Sequence, residues 1–167
     1  MQLTLEDIQL TIADLADVEA RHASSQELYS PTAPKSPSAQ FGWRDRWWLN
    51  QTAAASVAIH YWFFESDDEA RVAADEGRFR LSAQTVSKLG GRDSIYQQPP
   101  NDGHGLGNTV WQAGANFLFV QHTAVILVAE TGGKVSADTT LRIARKIFEK
   151  INSAIASESF KDSPSVE

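Results

Sequence analysis

The chain has 167 residues, 42% hydrophobic and 22% charged, with a formal net charge of -6 and no cysteine. That length suits one domain able to bury roughly two thirds of the surface of its unfolded form, and the composition excludes the disordered and fibrous classes. The negative balance argues against a broad nucleic-acid footprint, which needs clustered Lys and Arg, and the lack of cysteine removes disulfides, thiolate nucleophiles and Cys-ligated zinc.

In chain order, Leu3, Leu5, Ile8, Leu10 and Ile12 alternate in a way that suits extended chain, whereas Ile12, Leu15, Ala16 and Val18 have helical spacing. The spacing predicts a strand followed by a short helix, packed on the main body. Residues 30–40 (SPTAPKSPSAQ) carry three prolines, which disfavour helix and central strand alike, and read as an exposed loop.

Trp43 to Asn50 is predicted as a strand with Trp43 and Trp47 on one face and Trp48 on the other. From Ala55 to Phe64 a second strand sends Val57, Ile59, Tyr61 and Phe63 one way and His60, Trp62 and Phe64 the other. Two apolar faces imply helices on both sides, a partner chain or a ligand. Ser66-Asp67-Asp68-Glu69 is a capping box that opens a helix ending near Gly77. Phe79 to Leu89 fits strand and helix equally, and Gly90 to Gly107 reads as a long irregular surface loop.

Thr109 to Gln112 is expected to be an edge strand. Asn116 to Glu130 then forms a hairpin around Gln121-His122-Thr123, with a solvated His122 at its tip. A closing helix runs from Ser136 to Ile155, with Leu141, Ala144, Phe148, Ile151 and Ile155 on one stripe and Arg142, Arg145, Lys146, Glu149 and Lys150 away from it. Residues 157–167 read as a flexible polar tail. The whole is expected to be a single α+β domain spanning 1–167: an antiparallel sheet flanked by helices, sandwich-like, with the C-terminal helix packed on the sheet.

Chemistry-bearing motifs are sparse. His22, His60, His104 and His122 show no metal-ligand spacing, so no metal and no cofactor are expected. His60, between aromatics, reads as a packed and hydrogen-bonded residue. No nucleophile elbow or other catalytic set is present, and Asp67, Asp68 and Glu69 are explained by the helix start. Asp102 and His104, flanked by glycines, are the most ligand-like pair. Trp43, Trp47 and Trp48, interleaved with Arg44 and Arg46, offer stacking or cation-π sites, and Trp48, His60 and Trp62 are the expected aromatic surface patch.

No stretch approaches the roughly 20 apolar residues that span a bilayer, and no signal-type leader opens the chain. The compartment is therefore open. If Met1 is an expression start placed after a trimmed leader, the Pro- and Ser-rich loop and the polar tail suit an exported protein.

A strand and capped helix (ASVAIHYWFFESDDEARVAADE), a Gly-rich loop, a hairpin (NFLFVQHTAVILVAE) and a terminal helix (ADTTLRIARKIFEKINSAI) succeed one another over Trp43 to Ile155. This layout resembles small bacterial exported or lipoprotein-type domains similar to the Mog1/PsbP-like α/β sandwich. The resemblance implies a non-enzymatic adaptor, lipoprotein or assembly factor. The reading expected from the sequence is thus a non-catalytic binding or assembly domain, using an aromatic sheet surface or the 91–107 loop, with an unknown protein, a small ligand or a second copy as partner and no nucleic acid. The alternatives are a small metal-dependent hydrolase using His104 and Asp102, and carbohydrate or small-ligand capture by the Trp cluster.

Overall fold

The computed structural model describes residues 2–28, 39–50, 52–75, 103–107 and 109–161. Among these residues six strands form one open antiparallel sheet: β1 (Arg21–Glu27), β2 (Phe41–Leu49), β3 (Thr52–Phe63), β4 (Val110–Ala113), β5 (Asn116–Gln121) and β6 (Ala124–Glu130), in the order β1-β2-β3-β6-β5-β4. Two meanders, β1-β2-β3 and β4-β5-β6, thus join along β3 and β6, where Ile59 faces Val128 and Tyr61 faces Ile126. The fold is α+β. Its helices are α1 (Leu5–Ile8), α2 (residues 67–75) and α3 (Ala137–Lys161), with short 3-10 turns at Ala13–Val18 and Gly103–Gly105. No helix among the described residues is long and apolar enough to cross a membrane.

Both apolar faces of the central strands are covered within the chain. On the first face Val57, Ile59, Tyr61, Phe63, Phe117, Phe119, Ile126 and Val128 pack with Ile143, Ala144, Ile147 and Ile151 of α3 and with Leu3, Ile8, Leu10, Leu15 and Val18 of the N-terminal segment. On the second, Trp62, Phe64, Trp111, Leu118, Val120, Val125 and Leu127 pack with Ala70 and Ala74 of α2. Each such aliphatic side chain, fully buried, contributes roughly 1.5–3 kcal/mol of transfer free energy, so a second copy of the chain is not needed to shield this sheet.

Several expectations shift. The N-terminus is a helical turn at Leu5–Ile8 rather than a strand, because Asp7 Oδ2 accepts from the Thr4 amide and hydroxyl (2.8 and 2.7 Å) and closes a cap that alternation alone does not reveal. Residues 21–27, RHASSQE, form an unforeseen edge strand. In α2 the Ser66 hydroxyl accepts from the Glu69 amide as expected, but the Glu69 carboxylate reaches back to the amide of Glu65 rather than of Ser66.

The buried face of α3 is centred on Thr140, Ile143, Ala144, Ile147 and Ile151, while Leu141, Phe148 and Ile155 of the expected stripe are only partly buried at its margin. The helix also continues to Lys161, taking in residues assigned to the polar tail. Lys146 and Lys150, expected to face away, fold back onto the N-terminal segment: Lys146 pairs with Asp17, and Lys150 with Asp14 at 2.8 Å. His122 is half-buried rather than solvated, because its Nδ1 meets Asp67 Oδ1 at 2.7 Å and ties the hairpin tip to the first turn of α2. Most of the Gly90 to Gly107 loop, the Phe79 to Leu89 segment and most of the 30–40 loop lie outside the described residues.

Candidate binding surface at the β1–β2 end of the sheet

The side-chain alternation of β2 divides its polar and aromatic residues cleanly. Phe41, Trp43, Asp45 and Trp47 point to the first face; Arg44, Arg46 and Trp48 point to the second, opposite His60, Ala58 and Ser56 of β3. On β1 a bulge between His22 and Ser24 resets the pleat. In a regular strand residues three apart point to opposite faces, so without the extra residue His22 and Ser25 could not both reach Asp45.

On the first face Asp45 is 0% exposed and is satisfied by neutral donors. Its Oδ1 accepts from Ser25 Oγ (2.5 Å) and Trp43 Nε1 (2.9 Å), and its Oδ2 from Gln9 Nε2 (2.7 Å). His22 Nε2 lies 2.8 Å from Ser25 Oγ and 3.8 Å from Asp45 Oδ1, with its ring edge-on to Trp47 at 4.9 Å. These are the residue types of a Ser-His-Asp triad without its wiring. In that relay the imidazole uses one nitrogen for the serine and the other for the acid, whereas here one nitrogen faces both and the serine proton goes directly to the carboxylate. The cluster therefore anchors β1 and α1 to β2.

Beside it Tyr61 is fully buried, and its hydroxyl has no hydrogen-bond partner among the described residues. Burial pushes this phenol far up, and the nearby Asp45 carboxylate adds to the effect; the Leu10 backbone eases it without reaching hydrogen-bond geometry. Tyr61 stays neutral at any physiological pH. A groove of about 660 Å³ between the N-terminal segment and α3 is lined by Asp7, Asp14, Lys146, Glu149 and Lys150 among others. Its lysines are already engaged, Lys146 by the Asp14 carbonyl and the Asp17 carboxylate, Lys150 by the Gln9 carbonyl and the Asp14 carboxylate.

The second face differs. Arg21 stacks over Trp48 with Cζ 5.4 Å from the ring centroid, and Arg44 donates to Gln26 Oε1 at 2.6 Å. Arg46 is exposed and pairs across β1 with Ser24. Among the described residues no Asp or Glu lies within ion-pair reach of Arg21, Arg44 or Arg46, in contrast to Arg71 and Arg142, which pair with Asp68 and Asp17. His60 continues the row opposite Arg44, its ring tilted against Trp62 at 5.3 Å. Trp62 is 6% exposed, and its indole Nε1 has no partner among the described residues. Its Cδ1 lies 3.1 Å from where a side chain on Gly42 would begin, so the glycine at 42 is what lets the indole come this close to β2.

The aromatic residues singled out from the sequence therefore do not form one platform. Trp47 is 3% exposed on the first face, where Trp43 stacks on Phe41 at 6.2 Å. Trp48 and His60 are half-buried on the second face, and Trp62 forms its floor rather than a contact residue. His104 lies on the first face, edge-on to Phe117 at 5.8 Å, its ring bonded to Gln112 Oε1 (3.0 Å) and its carbonyl to Arg145 Nε (2.8 Å). Asp102 is outside the described residues. His60 and His104 are thus on opposite faces, and the described residues contain no group of three His, Cys, Asp or Glu able to hold a metal ion.

Sequence reasoning reached Arg44, Arg46 and Trp48 through their period-two spacing. It missed Arg21 and the His22, Ser25 and Asp45 cluster, since a bulge in a polar strand leaves no periodic signal. No protein-family model matches the chain, and no curated protein matches it in sequence.

Proposed function

We propose that the chain is a non-catalytic binding or assembly module that engages an acidic partner protein through the second face of its β1–β2 end. One observation carries the reading: Arg21, Arg44 and Arg46 line up on one sheet face, unneutralised by any described carboxylate, on a chain of net charge -6. Cations on an acidic protein are ordinarily matched, as Arg142, Lys146 and Lys150 of α3 are. An unmatched row beside a half-buried Trp48 supplies electrostatic steering together with apolar contact area. The layout resemblance to Mog1/PsbP-like sandwiches, whose members are mostly adaptors and assembly factors, points the same way.

Carbohydrate capture by the Trp cluster has less support, because Trp43 and Trp47 face away from Trp48. A His104 and Asp102 hydrolase has less support, because His22, which shares the first face with His104, lies on β1 at the other edge of the sheet from β4, and the described residues hold no group of three His, Cys, Asp or Glu able to bind a metal ion. Titration with poly-glutamate tests the proposal. Binding should weaken roughly tenfold or more in the Arg44→Glu/Arg46→Glu variant and fall steeply with added salt. Equal affinity of variant and wild type, or no binding by the wild type, contradicts it.

A further inference from the structure

We infer that the partner docks as an extended acidic segment added to the outer edge of β1, which has no neighbour among the described residues, with carboxylates at alternate positions reaching the arginine row. This rests on the reading just given and specifies its geometry. Among the described residues the sheet is open, and β1 is hydrogen-bonded to β2 alone. A strand paired on one side only keeps half of its amides and carbonyls directed outward, a template for another extended chain.

The two faces of β1 set what that chain must carry. Gln26, Ser24 and Arg21 share the second face with Arg44, Arg46 and Trp48, whereas Glu27, Ser25 and His22 share the first with Trp43, Asp45 and Trp47. An incoming strand sends every second side chain to each face. Carboxylates at alternate positions reach the arginines on the second face, and the intervening residues, beside Glu27 and Ser25, must be uncharged. The bulge at His22/Ser24 breaks the regular ladder, which confines pairing to Ser24 through Glu27.

The same geometry discriminates between occupants. A second copy added antiparallel on the edge of β1, keeping one continuous sheet, brings two rows of arginines onto one face, where like charges repel. An apolar strand leaves the arginines unmatched. An acidic strand satisfies both the edge and the charges.

Three short peptides of related composition test this by isothermal titration: one alternating Glu with Thr, one with the same residues in separate Glu and Thr blocks, and the alternating one N-methylated at alternate amides. The alternating peptide should bind roughly tenfold tighter than the block isomer, equivalent to about 1.4 kcal/mol, and N-methylation on the edge-facing amides should abolish binding. In Arg46→Glu, an exposed position, affinity for the alternating Glu peptide should fall roughly tenfold.

Equal affinity of the alternating and block peptides overturns the strand-addition inference while leaving the acidic-partner reading standing. Failure of all three overturns both. Tighter binding of a single-stranded oligonucleotide than of any peptide also overturns both, and a concentration-dependent dimer dissolved by the alternating peptide replaces the acidic segment with a second copy as the occupant.

Discussion

Asp45 shows how one buried carboxylate organises three segments. Gln9, Ser25 and Trp43 all donate to it, so Asp45→Ala removes the buried acceptor that the three segments share. Removing one partner of a buried polar set costs about 1–3 kcal/mol. We expect Asp45→Ala to lower unfolding free energy by roughly 2 kcal/mol in urea titration; a change under about 0.5 kcal/mol, the usual size for a neutral surface substitution, contradicts the anchoring role. Gly42 makes a second test. A Cβ there meets the Leu28 carbonyl at 2.9 Å and Trp62 at 3.1 Å, so Gly42→Ala should cost about 1–3 kcal/mol and alter the near-ultraviolet signal of Trp62, whereas an unchanged spectrum and midpoint argue against the close packing.

At the scale of elements, the parts legible in the sequence are those whose residues answer to a single periodicity. β3, β5 and β6 announce themselves as runs apolar on both faces, and the alternation of β2 correctly separates Trp43 and Trp47 from Trp48. The Ser66 cap of α2 is a local hydrogen bond that the sequence spells out, and Ser66→Ala should lower stability by about 1 kcal/mol, read as a shift in thermal midpoint. α1 was hidden because one turn of helix closed by Asp7 carries too few residues to show a period of 3.6. β1 was hidden because RHASSQE has no apolar face: a strand held by backbone pairing and by Asp45 needs none. The α3 stripe was rotated because apolar residues at 141, 148 and 155 border the true interface without filling it.

The contact of α3 with the N-terminal segment should also respond to pH. Burial tends to raise the Asp14 carboxyl, but hydrogen bonds from Lys150 and Thr11 outweigh it and hold it below the usual 3.8. Asp17 is held down chiefly by its bond to Lys146. Groups with depressed folded values add stability above the unfolded value and lose it as pH falls through the folded one. The docking of α3 should therefore be fully supported at neutral pH and weaken only below about 3.8, and Asp14→Asn should flatten that acid limb in an acid-unfolding series. An unchanged acid limb in Asp14→Asn argues against the ion pair's contribution.

Across the described residues the cations differ in how they are matched. Arg142, Lys146 and Lys150 of α3 meet Asp14 and Asp17 of the N-terminal segment, and Arg71 meets Asp68 within α2, whereas Arg21, Arg44 and Arg46 share the second face of the β1–β2 end with no described carboxylate in ion-pair reach. The sequence displays only the sum, -6, and that sum conceals the difference. It becomes visible once the pleat and the bulge assign each residue to a face. Resonance mapping with an alternating Glu-Thr peptide tests the central claim most directly. Shifts confined to residues 21–27, Arg44, Arg46, Trp48 and His60 are predicted; shifts centred on the α1–α3 groove, or none at saturating peptide, contradict it.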